Sequence, residues 1–464
     1  MIMWTLPSDI SEAAKLKLEE HSSVLVSYVR ELNELDALTL FKKGAKKYTG
    51  QRIFWQNPSK TVTLAGIGCT ERYSSKAGNE SYTELNQFKD KLKKQTVSNE
   101  IILGTGALLI GGFSFDSLAK ADANWEEFQD AYFSLPTYLL TTTAEKSYIT
   151  FNFYVTQADL IEKPLRIMKQ WEELLATPFV TETEIAAITK KEELATDSWL
   201  AAVSETVDAI KASKELNKVV LSRQMLLTHE TDVAIEAVLE KLKKTQQNSY
   251  FFVVENGEKT FLGATPERLL SAEGNKFYSA CVAGSAKRGA TFAEDQAIGD
   301  RLLADHKNVH EHQLVVEMIR HTMEGFTTDL AISGGPTLLK NRDIQHLFLT
   351  LAGTKKEHFS FLEAVKGMHP TPALGGVPTD LALEVIRQKE PYNRGFYGAP
   401  IGWVDSSDQG EFAVGIRSAL IMGQQSLLFA GCGIVAGSDP TEELNETAIK
   451  FQPMLRALGG MENE

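Results

Sequence analysis

Cysteine is scarce in this sequence: Cys69, Cys281 and Cys432 stand far apart and are odd in number. That leaves no disulfide framework and no CxxC metal knuckle, and it fits a reducing compartment. Basic charge is also in short supply, 48 Lys and Arg against 61 Asp and Glu, a formal −13. A general binder of nucleic acid or acidic membranes would need a basic field, so both are excluded as partners, while a local cationic pocket is not. No apolar run approaches the length that crosses a bilayer. The start, Met-Ile-Met-Trp-Thr-Leu-Pro-Ser-Asp, lacks the basic segment and apolar stretch of a secretory leader. The expected location is the cytoplasm. Short repeats and low-complexity tracts are missing too.

What is present is an ordinary globular composition, 464 residues with 43% hydrophobic and 23% charged side chains, enough to bury a substantial core. Residues 1–195 read as mixed scaffold. The spacing predicts a helix over 12–35, strands at 52–55, 61–65, 100–103, 138–142 and 147–155, and a joining helix over 158–196. From 196 to 464 the texture is richer in strands, at 219–227, 250–254, 260–263, 276–281, 345–351, 397–404, 411–422 and 426–430. Helices are expected at about 294–325 and 440–457. Strands in runs, joined by short polar turns and set apart from the helices, predict an α+β fold of layered, mainly antiparallel sheets flanked by helices.

Three segments carry chemistry. Ser438-Asp439-Pro440 is a helix start, and beyond it Glu443, Glu446 and Lys450 fall on one helix face. A solvated Glu–Lys pair is the plain alternative. Upstream, Gly431-Cys432-Gly433 lets the backbone approach something closely; the dinucleotide-loop alternative G-x-G-x-x-x-G fails on spacing. Asp305-His306-Lys307-Asn308-Val309-His310-Glu311-His312 suggests zinc at first, but H-E-x-x-H is absent. A polar helix face is the plain account of the histidines. Glu311 suits a hard cation better, and with Glu446 it could hold Mg²⁺. In Glu411–Arg417, strand alternation puts Ala413, Gly415 and Arg417 on one face, leaving room for an anion gripped by the guanidinium; an arginine in solvent is equally compatible. Lys218 opens the strand Lys-Val-Val-Leu-Ser-Arg, and Glu267 follows a proline in Gly-Ala-Thr-Pro-Glu-Arg. Neither stands out by itself.

Taken together, KVVLSR (218–223), GATPERLL (263–270), AGSAKRG (283–289), HKNVHEH (306–312), QHL (345–347), HPTPALGG (369–376), RGFYGAPIGW (394–403), FAVGIRSA (412–419) and GCGIVAGSDPTEELNETAIK (431–450) resemble the chorismate-utilising enzymes. These include the anthranilate, aminodeoxychorismate, isochorismate and salicylate synthases. The segments occur in family order over roughly half the chain. The resemblance implies Mg²⁺ as cofactor, held by Glu311 and Glu446 with Glu443 behind them, and chorismate as substrate. It places Arg417, Lys450 and the backbone around Gly284 and Gly431 on the substrate's carboxylates, with His346 beside the ring and Ser285, Ala373 and Tyr397 among the other substrate-binding residues. An acidic protein could thus bind a dianion in a locally cationic pocket.

The resemblance further implies that a lysine at 218 acts as base on water, where anthranilate-type enzymes usually carry glutamine, and that Glu267 acts as general acid on the departing hydroxyl. Its acidity must be weakened for that role. The implied activity is an isomerase, an isochorismate synthase. The competitor is a salicylate synthase, which shares the lysine and goes on to eliminate pyruvate; Ala373 and Ile416 are placed to influence that second step. The long first part, with Phe54-Trp55-Gln56 and Thr63–Gly68, resembles menaquinone-pathway enzymes more than siderophore ones. A monomer or weak homodimer is expected.

Overall fold

The computed structural model describes residues 6–33, 35–179 and 184–460. The first five residues of the segment read for a leader therefore lie outside the described residues. Among the described residues no helix is long and apolar enough to cross a membrane.

Two sheet layers share one long strand pair, Val62–Ser75 with Ala131–Thr143. From the second half of Ala131–Thr143 one layer runs outward through Ser147–Val155 and Val24–Leu32. On its other side it continues through Arg52–Gln56, Tyr250–Asn256, Lys259–Thr265, Ser418–Met422, Gln425–Ile434 and Lys218–His229. From the first residues of Ala131–Thr143 the other layer runs through Leu108–Phe113, Pro400–Asp405, Gly410–Val414, Arg268–Glu273, Lys276–Lys287 and Ile344–Lys355. Among the described pairings only Val24–Leu32 with Thr96–Ser98 is parallel. This is the layered, mainly antiparallel α+β architecture that the sequence predicts.

Aromatic side chains fill the space between the layers: Trp55, Phe252 and Phe261 from one meet Ile401 and Trp403 from the other, with Trp125 and Phe396 wedged between. Helices cover both outer faces. That is why Tyr250–Asn256 is buried along its whole length: one face meets the second sheet and the other a helix.

Several predicted elements differ. The 12–35 helix is the helix Ser8–Lys17 followed by the strand Val24–Leu32. Val24, Val26 and Val29 are stiff at χ1, and pairing with Ser147–Val155 overrides the helical period. The joining helix is Glu162–Ala176, with a strand at Ile188–Glu193 and a new helix from Thr196; residues 180–183 lie outside the described residues. Residues 100–103 form no strand. The helix over 294–325 is two, Phe292–Ala304 and His306–Phe326, divided at Asp305, whose carboxylate caps the second by accepting from the Asn308 amide at 2.8 Å. The strand over 397–404 begins only at Pro400.

Candidate active site

The strand Lys218–His229 is the platform. Lys218 is its first residue, set opposite Val377, while Val220 faces Gly433 across the ladder. The lysine side chain passes directly over Gly433, where a Cβ would stand 2.6 Å from Lys218 Cε. Beyond it, Nζ donates to Glu311 Oε1 at 3.2 Å, from the first turns of helix His306–Phe326. Gly431 is approached in the same way: its Cβ would lie 3.0 Å from the Tyr397 hydroxyl. The close approach that Gly-Cys-Gly predicts is thus made by two side chains of the site.

Glu267 and Arg417 occupy adjoining breaks where the chain passes from one layer to the other. Lys259–Thr265 belongs to one layer and Arg268–Glu273 to the other, with Pro266 and Glu267 between them. Alongside, Gly410–Val414 and Ser418–Met422 are separated by Gly415, Ile416 and Arg417. The predicted continuous strand 411–422 is therefore interrupted, and Arg417 does not owe its direction to strand alternation with Ala413. It sits at φ +50° in the left-handed region. The Ala264 amide donates to the Arg417 carbonyl at 3.1 Å and the Val414 amide to the Glu267 carbonyl at 3.0 Å. These bonds tie the two breaks together.

Burial dominates the acid–base character here. Glu267 is 7% exposed. Desolvation pushes its carboxyl up to about 7, against the opposing pull of Arg417, the nearby Thr371 hydroxyl, Lys218 and Lys450. His346 is also buried, and desolvation, with Arg417 and Lys450 adding to it, lowers the imidazole to about 3, so it is neutral. Its Nδ1 meets Ser285 Oγ at 2.8 Å, and its Nε2 is buried with no protein partner among the described residues. Gly284, at φ +74°, forms the bulge beside this pair.

On the helix Pro440–Ala457, capped by Asp439, Glu446 accepts from Lys450 Nζ at 2.5 Å, and the same ammonium donates to the Gly431 carbonyl at 3.0 Å. Burial would raise the Glu446 carboxyl, yet Lys450, Arg417 and Lys218 together hold it below its ordinary value. Glu443 accepts from Ser438 Oγ at 2.7 Å, and its Oε2 is buried without a protein partner. Burial raises its carboxyl.

The geometry thus brings together Lys218, Glu267, Glu311, Ser285, His346, Tyr397, Arg417, Gly431, Glu446 and Lys450. Ala373 lies in the turn two residues beyond Thr371, and Ile416 packs where two core clusters meet. No group of three His, Cys, Asp or Glu side chains is arranged around a metal position among the described residues. Glu311 and Glu446 each rest on a lysine ammonium instead. His306 and His310 are exposed, while His312 turns inward to the Ala283 carbonyl and Cys281, so the histidine run does not form a zinc centre.

Sequence reasoning missed a buried pair behind Lys218. Arg394 and Glu390 are joined at 2.5 Å with both side chains buried; Arg394 also donates to the Val220 and Leu374 carbonyls, and Glu390 accepts from the Ser222 amide. This pair holds the lysine's strand, the Ala373 turn and, through the Tyr397 amide on the Arg394 carbonyl, the tyrosine. The arginine lies inside RGFYGAPIGW, but nothing in that string marks it as buried.

A family model described as chorismate binding enzyme matches residues 10–459. The chain is 41% identical over 462 residues to the isochorismate synthase MenF of Bacillus subtilis, covering 98% of each. It is 30% identical to the salicylate biosynthesis isochorismate synthase of Pseudomonas aeruginosa, over 95% of this chain and 92% of that one. Its fold superposes on that of the menaquinone-specific isochorismate synthase MenF of Escherichia coli with a TM-score of 0.78, at 22% identity and 97% and 99% coverage. For anthranilate synthase component I of Streptococcus pneumoniae the TM-score is 0.67, at 18% identity and 92% coverage of each. A family match over nearly the whole length and a full-length relative at this identity place the chain in the chorismate-binding enzyme family.

Proposed function

We propose that this protein is an isochorismate synthase, an isomerase that adds water to chorismate at C2 and expels the C4 hydroxyl. The observation that carries this reading is the 41% identity to the Bacillus subtilis isochorismate synthase along 98% of both chains. The buried acid and the lysine reaching toward the same pocket are the residues that such a reaction needs.

Lys218 takes a proton from the attacking water. Glu267, still protonated near neutrality, gives its proton to the departing hydroxyl, which leaves as water. One water enters and one leaves, so substrate and product are isomers and the reaction is readily reversible. Arg417, Tyr397, Lys450 and the backbone at Gly284, Ser285 and Gly431 hold the carboxylates, and neutral His346 lies beside the ring without adding charge. Glu311 and Glu446 would hold Mg²⁺, with Glu443 steadying its hydration; all-oxygen donors and an unpartnered buried carboxylate oxygen on Glu443 suit such a cation. Held by these residues, such an ion would supply positive charge to the ring carboxylate. Residues 1–195 then act as scaffold and 196–464 as the catalytic part: every site residue comes from the second, while Arg52–Gln56 and Leu108–Phe113 complete the sheets beneath it.

Menaquinone biosynthesis is the favoured setting, supported by likeness along the whole length to a MenF enzyme, whereas the Escherichia coli isochorismate synthase EntC matches over only 54% of this chain. The test is incubation with chorismate and Mg²⁺ followed by product identification. Isochorismate alone supports the proposal, and salicylate with pyruvate moves the protein to the competing activity.

A further inference from the structure

We propose that Arg223 is a positioning residue for the cation site: it fixes the first turns of helix Pro440–Ala457, and with them Glu443 and Glu446, on the strand that carries Lys218. The inference rests on the reading of Glu446 and Glu443 as residues that hold Mg²⁺, and it assigns no chemistry to the arginine itself. Arg223 follows Lys218 on strand Lys218–His229 and stands opposite Ala430. Only 2% of it is exposed.

Every nitrogen of its guanidinium is committed. Nε donates to Thr447 Oγ1 at 2.7 Å, and one terminal nitrogen donates to the Leu444 carbonyl at 3.3 Å. The Thr447 hydroxyl in turn donates to that same carbonyl at 2.9 Å. The other terminal nitrogen meets exposed Glu193 at 2.5 Å, on the neighbouring strand Ile188–Glu193. The guanidinium also packs on the rings of Trp199 and Phe451, 5.8 and 5.1 Å from their centroids. Its grip on the helix falls on the residues directly after the two carboxylates, Leu444 after Glu443 and Thr447 after Glu446.

Filling the core does not account for an arginine here. A buried guanidinium forfeits much of its hydration, and apolar residues of similar volume often serve stability as well or better. What they cannot do is hold a helix by direction. A slip of one residue moves a side chain by about 1.5 Å along the axis and turns it by about 100°. Metal–ligand distances tolerate only about 0.2 Å. The helix has a second tether in Lys450, whose ammonium holds the Gly431 carbonyl and Glu446. Those groups belong to the pocket, and their bonds must exchange when an anion and a cation arrive. None of Arg223's partners is a site residue, so its bonds stay in place through loading.

Arg223→Met fills the space without the bonds, and Thr447→Val removes only the hydroxyl that Nε holds. Mg²⁺ is titrated by calorimetry into each metal-free protein, well below its melting temperature, with a thermal melt beside it. The expected result for Arg223→Met is a Mg²⁺ dissociation constant raised at least about tenfold, as for loss of a residue that orients a metal ligand. A merely structural role would lower the melting temperature and leave binding by the folded protein like that of the parent. A change smaller than tenfold in folded Arg223→Met therefore overturns the proposal. If that variant does not fold, Thr447→Val decides by the same measure. Glu446→Ala separates the underlying reading: unchanged Mg²⁺ binding there sinks the ligand assignment and the inference with it. Weakened binding in Glu446→Ala beside parent-like binding in Arg223→Met overturns the inference alone.

Discussion

Lys218 lies across Gly433, with its Cε 2.6 Å from where a Cβ on that glycine would stand. Gly433 stands on the neighbouring strand opposite Val220, two residues along from Lys218, so the absence of a side chain at 433 is what lets the lysine cross it to reach Glu311. Gly433→Ala should push aside the flexible end of a side chain rather than backbone. The expected outcome is a protein of nearly unchanged melting temperature with kcat lowered by about 10- to 100-fold, since a misplaced base forfeits much of a general-base contribution of about 10²–10⁴. Steady-state kinetics beside a thermal melt checks both halves.

Glu267 must carry a proton to act as acid, and burial holds that proton up to about pH 7. The kcat/KM profile is therefore expected to fall as pH rises through that value. Stability follows the same proton. The folded state binds it more tightly than the unfolded chain, so stability declines between about pH 4.5 and about 7 and the cost stays constant above. Glu267→Gln removes this cost, on the order of 3 kcal/mol at pH 8, while abolishing turnover. Denaturant melts at pH 5 and pH 8 test it: the variant should gain on the parent only at the higher pH.

Arg417 is fixed by the chain break on which it stands, and its proposed role is to grip a carboxylate with two parallel bonds. Arg417→Lys keeps the charge and loses the fork. KM for chorismate should rise by about 10- to 100-fold, as expected for losing a charged hydrogen bond worth about 1.5–3 kcal/mol. A loss confined to kcat with KM unchanged would place the guanidinium elsewhere.

Glu311 and Glu446 are the proposed cation ligands, each now resting on a lysine. Chelation should abolish turnover and added Mg²⁺ restore it. In calorimetry, Glu446→Ala and Glu311→Ala should each weaken Mg²⁺ binding by at least about tenfold. Binding unchanged in both variants would remove these residues from the metal's account.

How much of this was legible in the sequence depended on how locally each feature is determined. The cap at Asp439 and the Glu446–Lys450 pair lie within one helix, so spacing reveals them. The glycines at 431 and 433 announced a close approach but not by what. The break at Arg417 was hidden, because Gly415 and Ile416 continue an alternating pattern and only the crossing between layers interrupts it. Glu267 looked ordinary since its burial comes from segments far away in the chain. Val24–Leu32 was misread for the same reason: its partner strand begins more than a hundred residues later.

The central claim is that Lys218 directs water onto C2 while Glu267 releases the C4 hydroxyl, and that the reaction stops there. Turnover of chorismate with Mg²⁺ in ¹⁸O-labelled water tests it most directly, with products resolved by mass. The predicted result is isochorismate carrying one labelled oxygen at its new hydroxyl, no pyruvate, and no product from Lys218→Ala. Unlabelled isochorismate, or salicylate and pyruvate in equal amounts, would contradict it.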